Sequence, residues 1–167
     1  TNAPRMMSAL AKAKKNGAKI IAVNPLPEAG LMGFINPQSV KEIISGGVQL
    51  ADLYLPVKIN GDMALLKALE LSLIEFEKNN PGKVFDNQFI KEKTTGYEEF
   101  LKQFDHYKLE ELAELSGVSG EALRQAAEII AFKKKIIISW GMGLTQQPNG
   151  VDMLREILNI ILLKGSI

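Results

Sequence analysis

The chain has 167 residues, of which 46% are hydrophobic and 23% are charged, and its formal net charge is +1. This length and composition predict one globular domain over residues 1–167. With no cysteine and with His106 as the one histidine, the sequence excludes thiol catalysis, iron–sulfur clusters and multi-histidine metal sites within the chain.

Helix and strand alternate in the first part of the chain. Residues 4–15 predict an amphipathic helix that ends at a glycine turn. The apolar run Lys19–Val23 predicts a strand buried on both faces of a parallel sheet. After a loop-rich region with one short helix from Ser39, Leu53–Val57 predicts a second strand. Pro56 restricts this strand to a sheet edge or to a strand end.

Helices dominate the middle of the chain. A long helix is predicted from Met63 to Lys78, with Asn60 or Asp62 as its cap. Ser119 is expected to cap a helix over Glu121–Phe132. Three shorter helices are predicted between these two, over Asp86–Lys91, Gly96–Phe104 and Leu109–Leu115.

The last part of the chain returns to a strand followed by a helix. Ile136–Trp140 predicts a strongly buried strand, Gly141–Gly150 a loop and Val151–Leu163 a helix. Buried apolar strands separated by amphipathic helices predict an α/β fold of three layers. In this fold a mainly parallel, Rossmann-like sheet is flanked by helices, and a helical insertion occupies residues around 83–132.

The three strand exits are the candidate binding positions, because ligands of open parallel sheets bind beyond the carboxyl ends of the strands. Asn24 and Pro25 follow the first predicted strand, and Gly61 and Asp62 follow the second. The segment Gly141–Gln146 follows the third. Glycines let a backbone approach a ligand closely, and polar side chains reach ribose and base edges. These exits predict a single groove for a nucleotide-like ligand.

The sequence fingerprint of nicotinamide dinucleotide-binding domains also begins with two glycines after a strand, as Gly141 and Gly143 do here. The fingerprint's third glycine is missing, because Gln146 stands in its place. A nicotinamide-dependent dehydrogenase also needs an acidic residue about twenty residues beyond a full fingerprint. This class stays an alternative, and tight turns are the structural explanation of the glycines.

A second alternative is a helix-turn-helix that binds DNA. Leu112–Ser119 followed by Glu121–Ile130 has the pattern of two helices joined by a glycine turn, with Arg124 and Gln125 placed where base-reading side chains would lie. Five glutamates would face the DNA polyanion: Glu110, Glu111, Glu114, Glu121 and Glu128. This charge pattern favours a structural helical hairpin over a DNA-binding module.

Several segments, in this order along the chain, resemble the central α/β domain of molybdopterin-dependent oxidoreductases of the formate-dehydrogenase-like type. They are Asn2–Ala22, Val23–Pro27, Gly61–Leu65, Gly96–Glu98, Gly117–Ser119 with Ile129, and Trp140–Gln146. The most specific of them is a strand followed by W-G-M-G-x-T-Q. The resemblance covers nearly the whole chain, and it implies that the chain is a fragment of a longer protein. It also implies a further strand before Thr1, without which the sheet is incomplete at its N-terminal edge.

The resemblance implies that this domain holds one molybdopterin guanine dinucleotide of a bis-cofactor. The residues at which it places the cofactor are Asn24, Pro25, Gly61, Asp62, Gly141, Met142, Thr145 and Gln146. Relatives commonly have an acidic residue, Pro and Arg where this chain has Asn24-Pro25-Leu26. Gly141, Met142, Thr145 and Gln146 match the family without departure. No catalytic or metal-ligating residue is predicted in the chain.

The remaining expectations concern the parent protein. Any iron–sulfur cluster and the ligand of molybdenum or tungsten would lie in the rest of the parent chain, whose other domains are the expected partners. The parent's reaction would be two-electron redox chemistry on a small molecule, and this chain alone is expected to be inactive. The sequence has no basic face, no membrane span and no secretory signal. No nucleic-acid or membrane partner is therefore expected, and the expected location is the cytoplasm.

Overall fold

The computed structural model describes residues 4–34 and 49–167 of the chain. By its contacts the chain divides into two compact units, Thr1–Pro56 and Val57–Ile167. That the whole chain forms one domain of a longer protein stays a prediction. The short helix expected from Ser39 lies outside the described residues.

In its described residues the first unit has two helices and a strand before residue 35 and a second strand after residue 48. Its elements are α1 (Pro4–Lys15), β1 (Ile21–Val23), α2 (Ala29–Met32) and β2 (Leu53–Leu55). β1 and β2 are parallel neighbours, with Ala22 opposite Tyr54, and they confirm the predicted α/β class. β2 ends before Pro56 and is shorter than the predicted strand, because proline has no N–H to donate to the ladder.

The apolar face of α1 forms the core of the first unit. Met7 and Ala11 are buried together with Leu50, and Leu10 and Ile20 pack around them. Met7 and Ala11 are four residues apart, so both side chains lie on one face of the helix. The predicted amphipathic helix is therefore confirmed.

Asp52 connects α1 to the starts of both strands. Its carboxylate accepts a hydrogen bond of 2.9 Å from the backbone N–H of Ile20 and one of 3.2 Å from Lys19 Nζ. Lys14 Nζ lies 3.2 Å from Asp52 Oδ1. Burial pushes the pKa of Asp52 upward, but the Ile20 donor and the two ammonium groups outweigh it and hold the pKa below its ordinary value.

We expect Asp52→Ala to lower the free energy of unfolding of the first unit by about 1–3 kcal/mol at pH 7, because it removes a charge-assisted backbone hydrogen bond. A carboxylate with a depressed pKa stabilises the fold above its unfolded pKa of about 3.9, and this stabilisation is lost as pH falls through the folded pKa. Urea unfolding at pH 7 and pH 2 measures both effects. A difference from wild type that is as large at pH 2 as at pH 7 would contradict the ionic role. The exposed Asp105→Asn change is the control.

All regular secondary structure of the described second unit is helical. Its helices are α3 (Asp62–Asn79), α4 (Asn87–Lys93), α5 (Tyr97–Lys102), α6 (Leu109–Ser116), α7 (Gly120–Phe132), α8 (Met142–Thr145) and α9 (Gly150–Leu163), with a 3₁₀ turn at Gln103–His106. The predicted helices are present within a few residues of their expected bounds. Ser119 caps α7 as predicted, since its Oγ accepts a hydrogen bond of 3.2 Å from the N–H of Ala122.

Helix α3 is the central helix of the second unit and packs against α6, α7 and α9. The sequence predicted one apolar stripe, but the structure buries every residue from Ala64 to Ile74. A helix covered by neighbours on several sides has no solvated face at its middle. Three polar residues are therefore buried in it: Lys67, Glu70 and Ser72.

The predicted strand Ile136–Trp140 is wrong. This segment has no regular secondary structure, and the sheet of the described residues consists of β1 and β2. Ile137 is 96% exposed and Trp140 is 44% exposed. A strand needs a neighbour for its backbone hydrogen bonds, and no segment in residues 4–34 or 49–167 pairs with this one. An apolar run predicts burial only where such a neighbour is present.

No helix within the described part of the chain is both long enough and apolar enough to cross a lipid bilayer.

Candidate functional site

Asn24 and Pro25 lie directly after β1, as predicted. The N–H of Asn24 donates a hydrogen bond of 3.2 Å to the carbonyl of Leu55, and the Asn24 carbonyl accepts one from the hydroxyl of Tyr54. Asn24 is half-buried and Pro25 is exposed. Because β1 and β2 are parallel, their carboxyl ends lie at the same edge. The backbone of Asn24 is thus fixed at that edge.

Gly61 and Asp62 lie at the start of α3. Gly61 occupies the cap position, so neither Asn60 nor Asp62 caps this helix as the sequence predicted. Asp62 is the first helical residue, where a carboxylate is favoured by the positive end of the helix dipole. A Cβ on Gly61 would lie 2.8 Å from the carbonyl oxygen of Ser116. Close packing against the end of α6 is therefore a sufficient reason for glycine at this position.

The segment Gly141–Gln146 is an exposed loop around the short helix α8. Met142 is 69% exposed, and Gln146 Nε2 contacts Met142 Sδ at 3.6 Å. A Cβ on Gly141 or Gly143 would meet no atom of residues 4–34 or 49–167 within 4 Å. Gly141 has an extended backbone that any residue adopts. Nothing in the packing of the described residues requires glycine at these two positions.

Gln147 joins this loop to the start of α3. Its Nε2 donates to Asp62 Oδ2 at 2.9 Å and to the carbonyl of Gly143 at 2.6 Å. The motif W-G-M-G-x-T-Q points to Gln146, whereas no motif or periodicity in the sequence distinguishes Gln147. The signal for it is a contact between residues that are 85 positions apart.

The structure therefore brings together two of the three predicted strand exits. Asp62 and the segment Gly141–Gln146 adjoin in the second unit through Gln147. Asn24 and Pro25 belong to the first unit. That all three exits line a single groove stays a prediction.

The strongest electrostatic perturbation lies further along α3, at a cluster of Lys67, Glu70 and Glu156. Lys67 Nζ is 2.8 Å from Glu156 Oε2 and 3.4 Å from Glu70 Oε2. It also lies 4.9 Å from the centre of the Phe104 ring. Burial, followed by the negative charge of Glu156, raises the pKa of Glu70 to about 9. The cluster is enclosed in the helical core, so we assign it to stability.

Two further observations concern metal binding and catalysis. Within the described residues, no group of three or more His, Cys, Asp or Glu side chains is arranged to hold a metal ion. His106 ends the 3₁₀ turn and is exposed, as a surface turn residue would be.

The predicted helix-turn-helix forms a helical hairpin, with α6 and α7 joined through Gly117 at a φ of 75°. The groove between them measures about 680 Å³ and includes Glu110, Glu121, Arg124 and Glu128 in its lining. Three carboxylates against one guanidinium would repel a nucleic-acid backbone. The geometry therefore favours the structural explanation of this hairpin.

The nicotinamide alternative loses its structural basis. A dinucleotide-binding loop connects a strand to the N-terminus of a long helix. Gly141 follows a segment without strand structure, and α8 has four residues.

Comparison with known proteins assigns the family. The chain is 40% identical to an uncharacterized oxidoreductase of Mycobacterium tuberculosis over 167 residues, which is 100% of this chain and 21% of that protein. It is 30% identical to formate dehydrogenase H of Escherichia coli over 164 residues, 98% of this chain and 20% of that protein. The chain belongs to the formate-dehydrogenase-like oxidoreductases. This is the molybdopterin-dependent family that its motifs resemble.

The solved structures agree on the fold. Acetylene hydratase from Pelobacter acetylenicus superposes with a TM-score of 0.78 over 97% of this chain and 19% of the hydratase chain, at 22% identity. No protein-family model matches the chain. The chain spans about a fifth of the length of the curated relatives it matches. Most of each relative therefore lies outside the segment that this chain matches.

Proposed function

We propose that this chain binds one guanine dinucleotide arm of a bis-molybdopterin cofactor within a longer oxidoreductase. The observation that carries the proposal is the hydrogen-bonded junction of Asp62 with the Gly141–Gln147 loop. The sequence selected Asp62 and Gly141–Gln146 through the family motifs. It also placed both after predicted strands, but the strand expected before Gly141 is absent from the structure. Their contact places the Asp62 carboxylate beside the exposed loop, where one nucleotide would reach both.

The residues present fit such a group. Gly141 and Gly143 leave open space where a side chain would stand, so a ligand can approach the loop backbone. The carboxylate of Asp62 is an acceptor for the N–H groups of a guanine edge or for a ribose hydroxyl. The exposed amide of Gln146 offers both a donor and an acceptor to a pterin or phosphate edge.

The predicted contact residues would bind different parts of the nucleotide arm. Asp62 and Gln146 orient the ligand through hydrogen bonds, Gly141 admits it, and Met142 and Thr145 complete the loop surface. Asn24 and Pro25 would contact the nucleotide from the edge of the parallel strands. When bound, the cofactor supplies the metal that exchanges electrons or an oxygen atom with the substrate. The residues of this chain bind and orient the cofactor.

The parent protein would carry out two-electron redox chemistry on a small molecule in the cytoplasm, with its other domains enclosing the rest of the cofactor. We expect this chain by itself to have no redox activity. We also expect it to bind the nucleotide poorly alone, because a half-site loses most of the burial that gives tight binding.

The test is cofactor content in the full-length parent protein. We expect Gly141→Val and Gln146→Ala to lower the molybdenum or tungsten content, and the GMP released by acid hydrolysis, by about tenfold or more per protein chain. A factor of ten corresponds to about 1.4 kcal/mol of binding free energy. Valine is compatible with the extended backbone and open space at Gly141, so its effect would come from the ligand.

Two controls make the result specific. Gly33→Val also adds a β-branched side chain at an extended glycine that has no neighbour within 4 Å among the residues that the structure describes. Arg124→Ala removes a charge from the α6–α7 groove. Both control variants should contain as much cofactor per protein chain as wild type. Full cofactor content in Gly141→Val and Gln146→Ala would reject the proposed site.

A further inference from the structure

The side chain of Gln147 is held by two acceptors from different elements. Its single amide nitrogen donates to the Asp62 carboxylate at 2.9 Å and to the Gly143 carbonyl at 2.6 Å. Both N–H groups of the amide are thereby engaged. Rotating the amide by half a turn would place its oxygen against two acceptors, so the observed orientation is the one that forms both hydrogen bonds.

This arrangement leaves the amide oxygen enclosed. Gln147 Oε1 has no hydrogen-bond partner among the described residues and is inaccessible to solvent. A buried acceptor without a donor is unfavourable. The structure keeps it because the bond to the Asp62 carboxylate is charge-assisted and about twice as strong as a neutral one. Gln147 therefore serves to connect two elements and does not simply fill space.

The loop also contacts the start of α9. A Cβ on Gly150, the first residue of α9, would lie 2.9 Å from the Leu144 carbonyl and 3.0 Å from the Thr145 carbonyl. The backbone of α8 thus packs directly on the first turn of α9. Gln147 provides the second fixed point, toward α3, and it does so through a side chain.

We propose that Gln147 is a positioning residue that holds the Gly141–Gln147 loop against the first turn of α3. It orders the loop and orients the Asp62 carboxylate before any ligand binds. The ordering of the loop follows from the contacts alone, whereas its use for a nucleotide arm rests on the proposed function. A binding surface fixed in advance binds more tightly, because less conformational entropy is lost on association.

Hydrogen exchange of the chain itself tests the positioning role. In Gln147→Leu we expect amide exchange to accelerate about tenfold across Gly141–Gln147. Exchange rates in α9, and in α3 beyond its first turn, should not change. The matched control is Gln88→Leu, which removes a glutamine donor 3.0 Å from Glu92 on exposed α4. It should leave the loop unaffected.

A reciprocal exchange separates the hydrogen bond from the shape of the side chain. Gln147→Glu places two carboxylates together and should accelerate loop exchange. Adding Asp62→Asn gives an amide donor opposite a carboxylate acceptor and should restore the part of the protection that comes from the contact with α3. The Gly143 carbonyl still lacks its donor in this double variant. Wild-type exchange in Gln147→Leu, or acceleration in Gln147→Glu that Asp62→Asn does not reduce, would overturn the proposal.

Cofactor content in the full-length parent distinguishes the two proposals. Gln147→Leu should lower metal and GMP content in the same direction as Gly141→Val. A loosened loop with full cofactor content in both variants would reject the nucleotide site and leave the positioning role intact. Reduced content in Gly141→Val with an unchanged loop in Gln147→Leu would reject the positioning role alone.

Discussion

Glu70→Gln is expected to stabilise the helical unit at neutral and alkaline pH. Glu70 is completely buried in α3, and neither carboxylate oxygen accepts a hydrogen bond within the described residues. The charged groups that face it there are Lys67 on its own helix and Glu156 on α9. Burial, and then the charge of Glu156, raises the pKa of Glu70 to about 9. Folding at pH 7 therefore takes up a proton that the unfolded side chain has released.

The sign of the pH dependence follows from the two pKa values. Between the ordinary value of 4.5 and the folded value of about 9, the folded state holds one more proton than the unfolded state. The free energy of unfolding falls by about 1.4 kcal/mol per pH unit in this window and levels off above it. The contribution of Glu70 is fully present below pH 4.5 and is lost as pH rises through 9.

Urea unfolding followed by helical circular dichroism, from pH 5 to pH 9.5, measures the effect. Glutamine has the shape of the neutral acid but no proton to lose. The variant should lie close to wild type near pH 5 and exceed it by about 4 kcal/mol at pH 8. Glu75→Gln, at an exposed position of the same helix, should follow the wild-type slope. A Glu70→Gln variant that is less stable than wild type at pH 7 would show that Glu70 is ionised and paired with Lys67.

The helices were predictable because their signals are local. Ser119 followed by an apolar periodicity predicts α7, since both the cap and the buried face arise within one segment. Ile136–Trp140 has an equally strong apolar pattern and forms no strand. Strand formation depends on a neighbour that the pattern does not specify. Lys19–Val23 has that neighbour in β2, and its last three residues form β1.

The candidate site was predictable only in part. Asp62 and Gly141–Gln146 were identified from their places after predicted strands and from the family resemblance. Gln147 was missed because its function depends on a contact with Asp62, which is distant in sequence. The burial of Glu70 was missed for a similar reason. One apolar stripe on α3 predicts a solvated opposite face, whereas α6, α7 and α9 cover more of the helix than that.

Lys67→Met is expected to destabilise the second unit by about 3–5 kcal/mol at pH 7, because removing one partner of a buried ion pair leaves the other charge uncompensated. That charge is on Glu156, whose side chain is 15% exposed and whose Oε2 lies 2.8 Å from Lys67 Nζ. Asn159 would remain as a donor to it at 3.0 Å. The contact of Lys67 with the Phe104 ring is lost as well.

Two double variants identify which carboxylate needs the lysine. If Glu70 is neutral, Lys67→Met with Glu156→Gln should recover most of the lost stability, because it removes the ionised partner. Lys67→Met with Glu70→Gln should recover little of the lost stability, because a protonated Glu70 carries no charge for the lysine to balance. Denaturant unfolding at pH 7 of wild type, of the single variants Lys67→Met, Glu70→Gln and Glu156→Gln, and of the two double variants gives the coupling energies directly. Equal recovery in both double variants would mean that Lys67 balances the two carboxylates together, and the assignment of the proton to Glu70 would then be wrong.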